Sequence, residues 1–343
     1  MKKHLIFLAP VFLAFLVASF YVIKIPSSIT SDALEYDKLS DSILIGEYSI
    51  DGKPSMEREP GYPFLRADLK KISTNPEFIR WFQVLLYILS VLFVGIASKK
   101  IEPKIGVWGV WGAGLSYGLA FYPSTHLAET LVAFLLASIG LFVSMSFEKI
   151  SFKNWLTISV LSGFLLLTRY TYILIPVACF FVLYFFSIKQ NIDNKKILFN
   201  LIFSLMIVFS IVFPWILRNY KVFQEFNVAG RSGAILYARS VQANSPWRSL
   251  PDSLLSTVLG RGILFTVYPN NQSIWLEQWG DWWRDNETIK KMWSDDLAIR
   301  DDQRKEKAFD IGHSRTTCHF LGLDYTDPDI KKLKYAAYLM IKG

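Results

Sequence analysis

Four charged residues sit where a chain of this apolar character has little structural use for charge. Asp32 follows the first apolar segment, with Glu35 and Tyr36 close behind it. Glu129 lies in His126-Leu127-Ala128-Glu129-Thr130, at the entry to a later apolar run. Arg169 interrupts Leu165-Leu166-Leu167-Thr168-Arg169-Tyr170, and Arg218 follows Phe213-Pro214-Trp215-Ile216-Leu217. A guanidinium is a planar donor fork that holds phosphate oxygens bidentately and stabilises charge building on a phosphate leaving group. An aspartate within hydrogen-bonding reach of an alcohol takes its proton as that oxygen attacks. Two such cations with a carboxylate suit a substrate that carries a phosphate and a reacting hydroxyl. Plainer readings stand beside this one. Arg169 and Arg218 also fit snorkelling interface anchors, and Glu129 fits the positive end of a helix dipole. Asp32 fits the cap of a short interfacial helix, with Glu35 three residues on completing a capping-box-like pattern. Glu35, Asp37, Asp41, Glu47 and Asp51 read as a solvated face, and Pro60-Gly61-Tyr62-Pro63 reads as a rigid turn.

The elements that must position these groups are membrane spans. The 343 residues are 52% hydrophobic, with 27 Phe and 11 Trp, beyond what a soluble core of this size needs. Seven apolar runs follow one another, roughly over 5–23, 82–97, 105–122, 127–145, 155–167, 172–188 and 197–217. Several fall short of the ~20 residues that cross a bilayer upright, a deficit that flanking aromatics and long polar side chains make up. The first run, behind Lys2, Lys3 and His4, has the charge of a signal peptide. It is too long for a typical signal core and lacks a small-x-small cleavage site, so it reads as an uncleaved helix with a cytoplasmic N-terminus. Alternate loops then carry Lys99, Lys100 and Lys104, next Lys149 and Lys153, next Lys189, Lys195 and Lys196, as cytoplasmic loops should. The acidic segment 24–78 and the turn 122–126 fall on the opposite, extracytoplasmic side, together with Asp32, Glu129, Arg169 and Arg218. The net charge of +8 is dispersed among loops, so it reports orientation rather than nucleic-acid binding.

The remaining sequence carries weaker signals. Cys179 and Cys318 make no disulfide framework, and His313, Cys318 and His319 form a weak zinc pattern without a second ligand cluster. Asn271-Gln272-Ser273 and Asn286-Glu287-Thr288 match the glycosylation triplet. Residues 219–333 form a polar segment with Trp247, Trp275, Trp279, Trp282, Trp283 and Trp293, read as a small domain lying on the outer leaflet, where indoles are favoured. Another apolar stretch opens at Leu333 and the chain stops within it, as though truncated at the start of a further span. No internal repeat stands out, which argues against a transporter or flippase built from two similar halves.

The order Asp32-x-x-x-Tyr36, Arg58-Glu59-Pro60-Gly61-Tyr62-Pro63, Tyr122-Pro123 with Glu129, Leu167-Thr168-Arg169 and Pro214-Trp215-Ile216-Leu217-Arg218-Asn219-Tyr220 resembles the polyprenyl-phosphate-sugar-dependent GT-C glycosyltransferases. Within them it is most similar to the dolichyl-phosphate-mannose protein mannosyltransferase and aminoarabinose transferase superfamily, over residues 1 to about 240. The resemblance implies an all-α polytopic membrane protein: a GT-C helix bundle over 1–218, with interfacial helices in the outer loop 24–78. It implies inverting transfer of one sugar from a lipid-phosphate donor to a glycan, lipid or protein acceptor on the extracytoplasmic face. A lipid-linked polysaccharide ligase or polymerase is the nearest competing enzyme. By position, the resemblance makes Asp32 the catalytic base or acceptor-orienting carboxylate. Arg58, Glu59, Tyr62 and Glu129 become substrate-binding residues, and Arg169 and Arg218 bind the lipid phosphate. No cofactor is called for, and a divalent metal is compatible with the reading but not indicated. Many relatives carry a second acid directly after the first aspartate; here Asp32 is followed by Ala33, which leaves the division of labour among the carboxylates open.

Overall fold

Six of the seven apolar runs fold as single helices whose ends lie where polar residues or helix breakers begin. The computed structural model describes residues 2–25, 27 and 31–230. The Trp-rich segment, His313, Cys318, His319, both glycosylation triplets and the apolar stretch from Leu333 lie outside the described residues. Within them the protein is an all-α polytopic membrane protein. Helix α1 spans Lys2–Lys24, α4 Pro76–Ile101, α7 Glu129–Glu148, α8 Phe152–Thr168, α9 Leu174–Lys189 and α10 Asn194–Phe223. Helix α4 shows the local logic: Asn75 accepts from the Glu77 amide at 2.9 Å, Pro76 starts the first turn, and Glu77 lies at the positive end of the dipole. Its 26 residues extend about 39 Å at ~1.5 Å each, enough to cross a bilayer at a tilt.

Two of the seven runs depart from simple spans. Among the described residues, five helical segments are long and apolar enough to cross a membrane, over 6–24, 76–101, 129–148, 170–189 and 194–223. Helix α8 has 17 residues, at the lower limit for an upright span. The run expected as one helix over 105–122 is broken into α5 (Gly106–Gly114), α6 (Tyr117–Phe121) and a 3-10 turn over Tyr122–Ser124. Four glycines within the nine residues of α5 weaken the helix by backbone entropy. Gly114 also lies so close to α1 that a Cβ there would stand 2.7 Å from the Pro10 carbonyl oxygen.

The bundle has two packed centres. Ala14, Ala18 and Val22, one face of α1, meet Val84, Tyr87 and Val91 of α4 and Val110 of α5. Val132, Leu135 and Ile139 of α7 meet Trp155, Ile158 and Leu165 of α8 and Phe180 and Leu183 of α9. Lipid tails are as apolar as these side chains, so close van der Waals fit rather than escape from water favours the contacts, and small residues on α1 permit it. At one end of the bundle Lys100 pairs with Glu148 at 2.8 Å, and Gln190 bonds the Ile150 amide and the Ser146 carbonyl. The lysine-bearing ends of α4, α7 and α9 thus share that end.

The loop between α1 and α4 closes the other end. It holds α2 (Ser31–Leu44), α3 (Gly61–Ile72) and a two-residue hairpin, β1 (Ser49–Ile50) paired antiparallel with β2 (Lys53–Pro54). Asp51 and Gly52, both at positive φ, make its turn, as an Asp-Gly pair does in a hairpin. Helix α3 is seated by Gly61. A Cβ there would lie 2.5 Å from Thr168 Oγ1 and 3.0 Å from the Leu167 carbonyl carbon and oxygen at the end of α8. Gly61→Val should therefore destabilise the protein by about 1–3 kcal/mol, read as a lowered thermal unfolding temperature in detergent. Thr168→Ala should not rescue it, since the Leu167 backbone stays in the way.

Candidate functional site

Arg58 is the centre of the first constellation. Helix α2 places Asp32, Glu35 and Tyr36 on one side, since residues three and four apart share a helix face. The chain returns through the hairpin and lays Arg58 against that side. Arg58 Nε donates to Glu35 Oε2 at 2.5 Å, and its Nη2 lies 2.6 Å from Asp32 Oδ1. The two contacts differ in kind. Glu35 receives an aligned hydrogen bond, whereas Arg58 Nη2 makes no hydrogen bond of acceptable angle, so Asp32 is held by charge alone. The guanidinium also stands 5.1 Å from the centre of the Tyr36 ring, a cation–π contact. The Arg58 and Glu35 side chains are 7% and 6% exposed, but that of Asp32 is 53% exposed. The reading of Glu35 and Asp37 as a solvated face is corrected here: Glu35 is buried on Arg58, and Asp37 is half-buried on Arg66 and Lys70. Asp41, Glu47 and Asp51 are exposed.

Tyr36 joins this constellation to a second. Its ring packs edge-on against Tyr62 with centroids 5.0 Å apart, and both rings pack with Ala128. Burial pushes the Tyr36 hydroxyl up, against the pull of Arg58 and Arg169, so it stays protonated. Beyond it Arg169 Nη2 donates to Glu129 Oε1, and Glu59 Oε1 accepts from the Tyr170 amide at 3.3 Å. Glu129 lies in the first turn of α7 and pairs with Arg169, so the dipole reading and the ion-pair reading of this residue hold together. Asp32, Arg58, Glu59, Tyr62, Glu129 and Arg169 are thereby gathered around one tyrosine. Arg218 makes other contacts. Its Nη1 donates to the Ser55 carbonyl at 2.6 Å and its Nη2 to the Tyr48 carbonyl at 2.9 Å, fastening the hairpin to α10. The rings of Trp215, Phe223 and Tyr48 flank the guanidinium at 5.0, 5.3 and 5.4 Å.

An apolar groove of about 600 Å³ adjoins these residues, among α3, α7, α8 and α10. Phe64, Leu65, Leu131, Leu135, Phe164, Leu167, Ile211, Pro214 and Trp215 line it, with Pro60, Gly61, Thr168 and a single charged residue, Asp68. Glu59 and Arg169 are the next residues along the chain from Pro60 and Thr168. Among the described residues, no group of three or more His, Cys, Asp or Glu side chains is placed to hold a metal ion.

A buried polar network behind the site escaped the sequence reading. Arg66, 1% exposed, donates to Asp37, which Lys70 also meets at 2.9 Å. Burial works to raise the Asp37 carboxyl, but Lys70 and Arg66 outweigh it and hold it below its usual range. Gln83 donates to the Tyr62 hydroxyl at 3.2 Å and to the Thr125 carbonyl at 2.8 Å; Arg80 bonds Glu77 and the Ile25 carbonyl, each at 2.7 Å. The sequence held one signal: Arg66 falls on the stripe Tyr62, Arg66, Leu69 that buries α3.

His126 completes this network, its Nε2 hydrogen-bonded to Ser27 Oγ at 2.9 Å. Burial, with Arg66 and Arg80 nearby, pushes its pKa from 6.5 down to about 4, against the opposing pull of Asp37 and Glu77. The unfolded chain then binds the proton more readily, so stability is level above about pH 6.5 and is lost as pH falls toward about 4. Asp37 adds its own loss only below its ordinary carboxylate range. Thermal unfolding of the detergent-solubilised protein should therefore weaken between pH 7 and 5, and His126→Asn should flatten that slope.

None of the curated proteins matches this chain. Asp32 lies well before, and Arg218 just after, the segment that a known family matches. That segment holds Arg58, Glu59, Tyr62, Glu129, Arg169 and the groove-lining parts of four helices. Its family points to a membrane glycosyltransferase of GT-C type. Residues 57–215, a little under half of the chain, match the dolichyl-phosphate-mannose-protein mannosyltransferase family.

Proposed function

We propose that this chain transfers a sugar from a polyprenyl-phosphate donor to an acceptor hydroxyl on the extracytoplasmic face, with inversion and with Asp32 as base. The observation that carries the reading is the adjacency of the carboxylate–arginine constellation to an apolar groove. A donor of this class has an apolar chain and a charged head, and here an apolar lining and a guanidinium are consecutive in sequence at Thr168 and Arg169. In the reaction the acceptor oxygen forms a bond to the anomeric carbon, and the bond from that carbon to the phosphate oxygen breaks. The lipid phosphate leaves with the electron pair and the acceptor proton passes to Asp32. A phosphate is already a good anion, so the leaving group needs a cation more than a general acid, and Arg169 supplies it. Arg58, whose guanidinium is engaged by Asp32 and Glu35, orients the base. Arg218 fixes the hairpin against Trp215, one wall of the groove. The lysine-rich ends facing the cytoplasm would set this site on the opposite side.

The test is transfer by the purified protein in nanodiscs, supplied with radiolabelled polyprenyl-phosphate hexoses and pentoses and with extracted envelope glycans, lipids and proteins as acceptors. Release of polyprenyl phosphate coupled to labelling of an acceptor is the expected result. Intact donor throughout the panel would refute the proposal.

A further inference from the structure

The three-charge cluster on α2 is more than a brace. Arg58 has one buried carboxylate, Glu35, and one exposed carboxylate, Asp32, on the same guanidinium. The buried pair balances itself, so the cluster as a whole keeps one negative charge, and it resides on the exposed member. Without the Glu35 charge, the full positive charge of Arg58 would fall on Asp32 at 2.6 Å. A carboxylate so neutralised holds protons less well and is a weaker base.

We propose that Glu35 is a positioning residue that sets the basicity of Asp32 by taking up the charge of Arg58. This rests on the reading of Asp32 as the base. The buried Glu35–Arg58 hydrogen bond fixes where the guanidinium lies, and Asp32, on the exposed side of that guanidinium, stays accessible to an acceptor hydroxyl. The other charged or titratable groups facing the cluster are Tyr36 on α2, Tyr48 at the start of the hairpin, Glu59 after it, Glu129 on α7 and Arg169 after α8. Glu129 is matched by Arg169, and Glu59 accepts from the Tyr170 amide.

The experiment compares the pH dependence of kcat/KM for the parent, Glu35→Gln, Glu35→Asp and the double variant Glu35→Gln/Arg58→Met. Glu35→Gln should move the acid limb down by about one pH unit and lower the plateau roughly threefold, as an opposite charge does to a nearby base. Glu35→Asp, which keeps the charge, should stay with the parent. The double variant, which buries no lone charge, should move the limb back up. Isotope-edited infrared titration of the Asp32 carboxyl, assigned by subtracting Asp32→Asn, reads the same shift without turnover. An Asp32 titration unchanged in Glu35→Gln overturns the inference, whatever happens to activity or folding. A shifted titration in a protein that transfers no sugar sustains the electrostatic coupling and overturns the transfer reading alone.

Discussion

Asp32→Asn should lower sugar transfer by about 10²–10⁴-fold, the range that a positioned general base contributes. The amide keeps the shape of the side chain and loses its capacity to accept the acceptor proton. Folding should be little affected, because the side chain is half exposed and an exposed ion pair is worth about 0–1 kcal/mol. Arg58→Ala should behave differently, costing about 3–5 kcal/mol, because Glu35 would remain buried and charged without its aligned partner. The contrast separates chemistry from support. Equal thermal unfolding temperatures with lost transfer identify Asp32 as the reacting group, and transfer by Asp32→Asn at the parental rate removes it from the reaction.

Arg169→Ala should lower kcat/KM by about 10²–10³-fold, the usual cost of removing one donor aimed at developing charge. Arg169→Lys should fall between, since an ammonium is a point charge that cannot hold phosphate bidentately. Glu129 partners Arg169, so a lipid phosphate must share or displace that carboxylate. Glu129→Gln should therefore tighten binding of sugar-free polyprenyl phosphate while Arg169→Ala weakens it. Equilibrium binding of labelled polyprenyl phosphate to nanodiscs makes the measurement. Unchanged affinity in Arg169→Ala would move the phosphate elsewhere, and Arg218 would be examined next.

Much of this architecture was legible without coordinates because apolar length and flanking lysines are local properties. Helices α1, α4 and α10 extend their apolar runs into the polar flanks at both ends, and α7 and α9 at the C-terminal end, since a helix continues until a breaker or a cap stops it. The run over 105–122 reads in sequence as one helix, and its mean hydropathy hides the four glycines and the close approach to α1 that accompany its break. Glu129 and Arg169 were singled out by charge in apolar surroundings, and they meet. Arg218 stands out by the same argument, yet its donors go to two backbone carbonyls and the adjacent Asn219 side chain, and carbonyl acceptors leave no mark in sequence.

The sequence by itself determined that the chain is a bundle of membrane helices with a charged, acidic loop between the first two long ones. Hydrophobic length and charge distribution suffice for that, because the bilayer acts on each segment separately. Only the tertiary structure decided which acid is buried and which is exposed. Positions 32, 35, 37 and 41 of α2 are all acidic, so its sequence does not announce the inward face. That face is fixed by Arg58 and Arg66, which reach it from 23 and 29 residues further along the chain. Burying a guanidinium requires a carboxylate beside it, and the return path of the chain through the hairpin selects Glu35 for that place and leaves Asp32 at the surface.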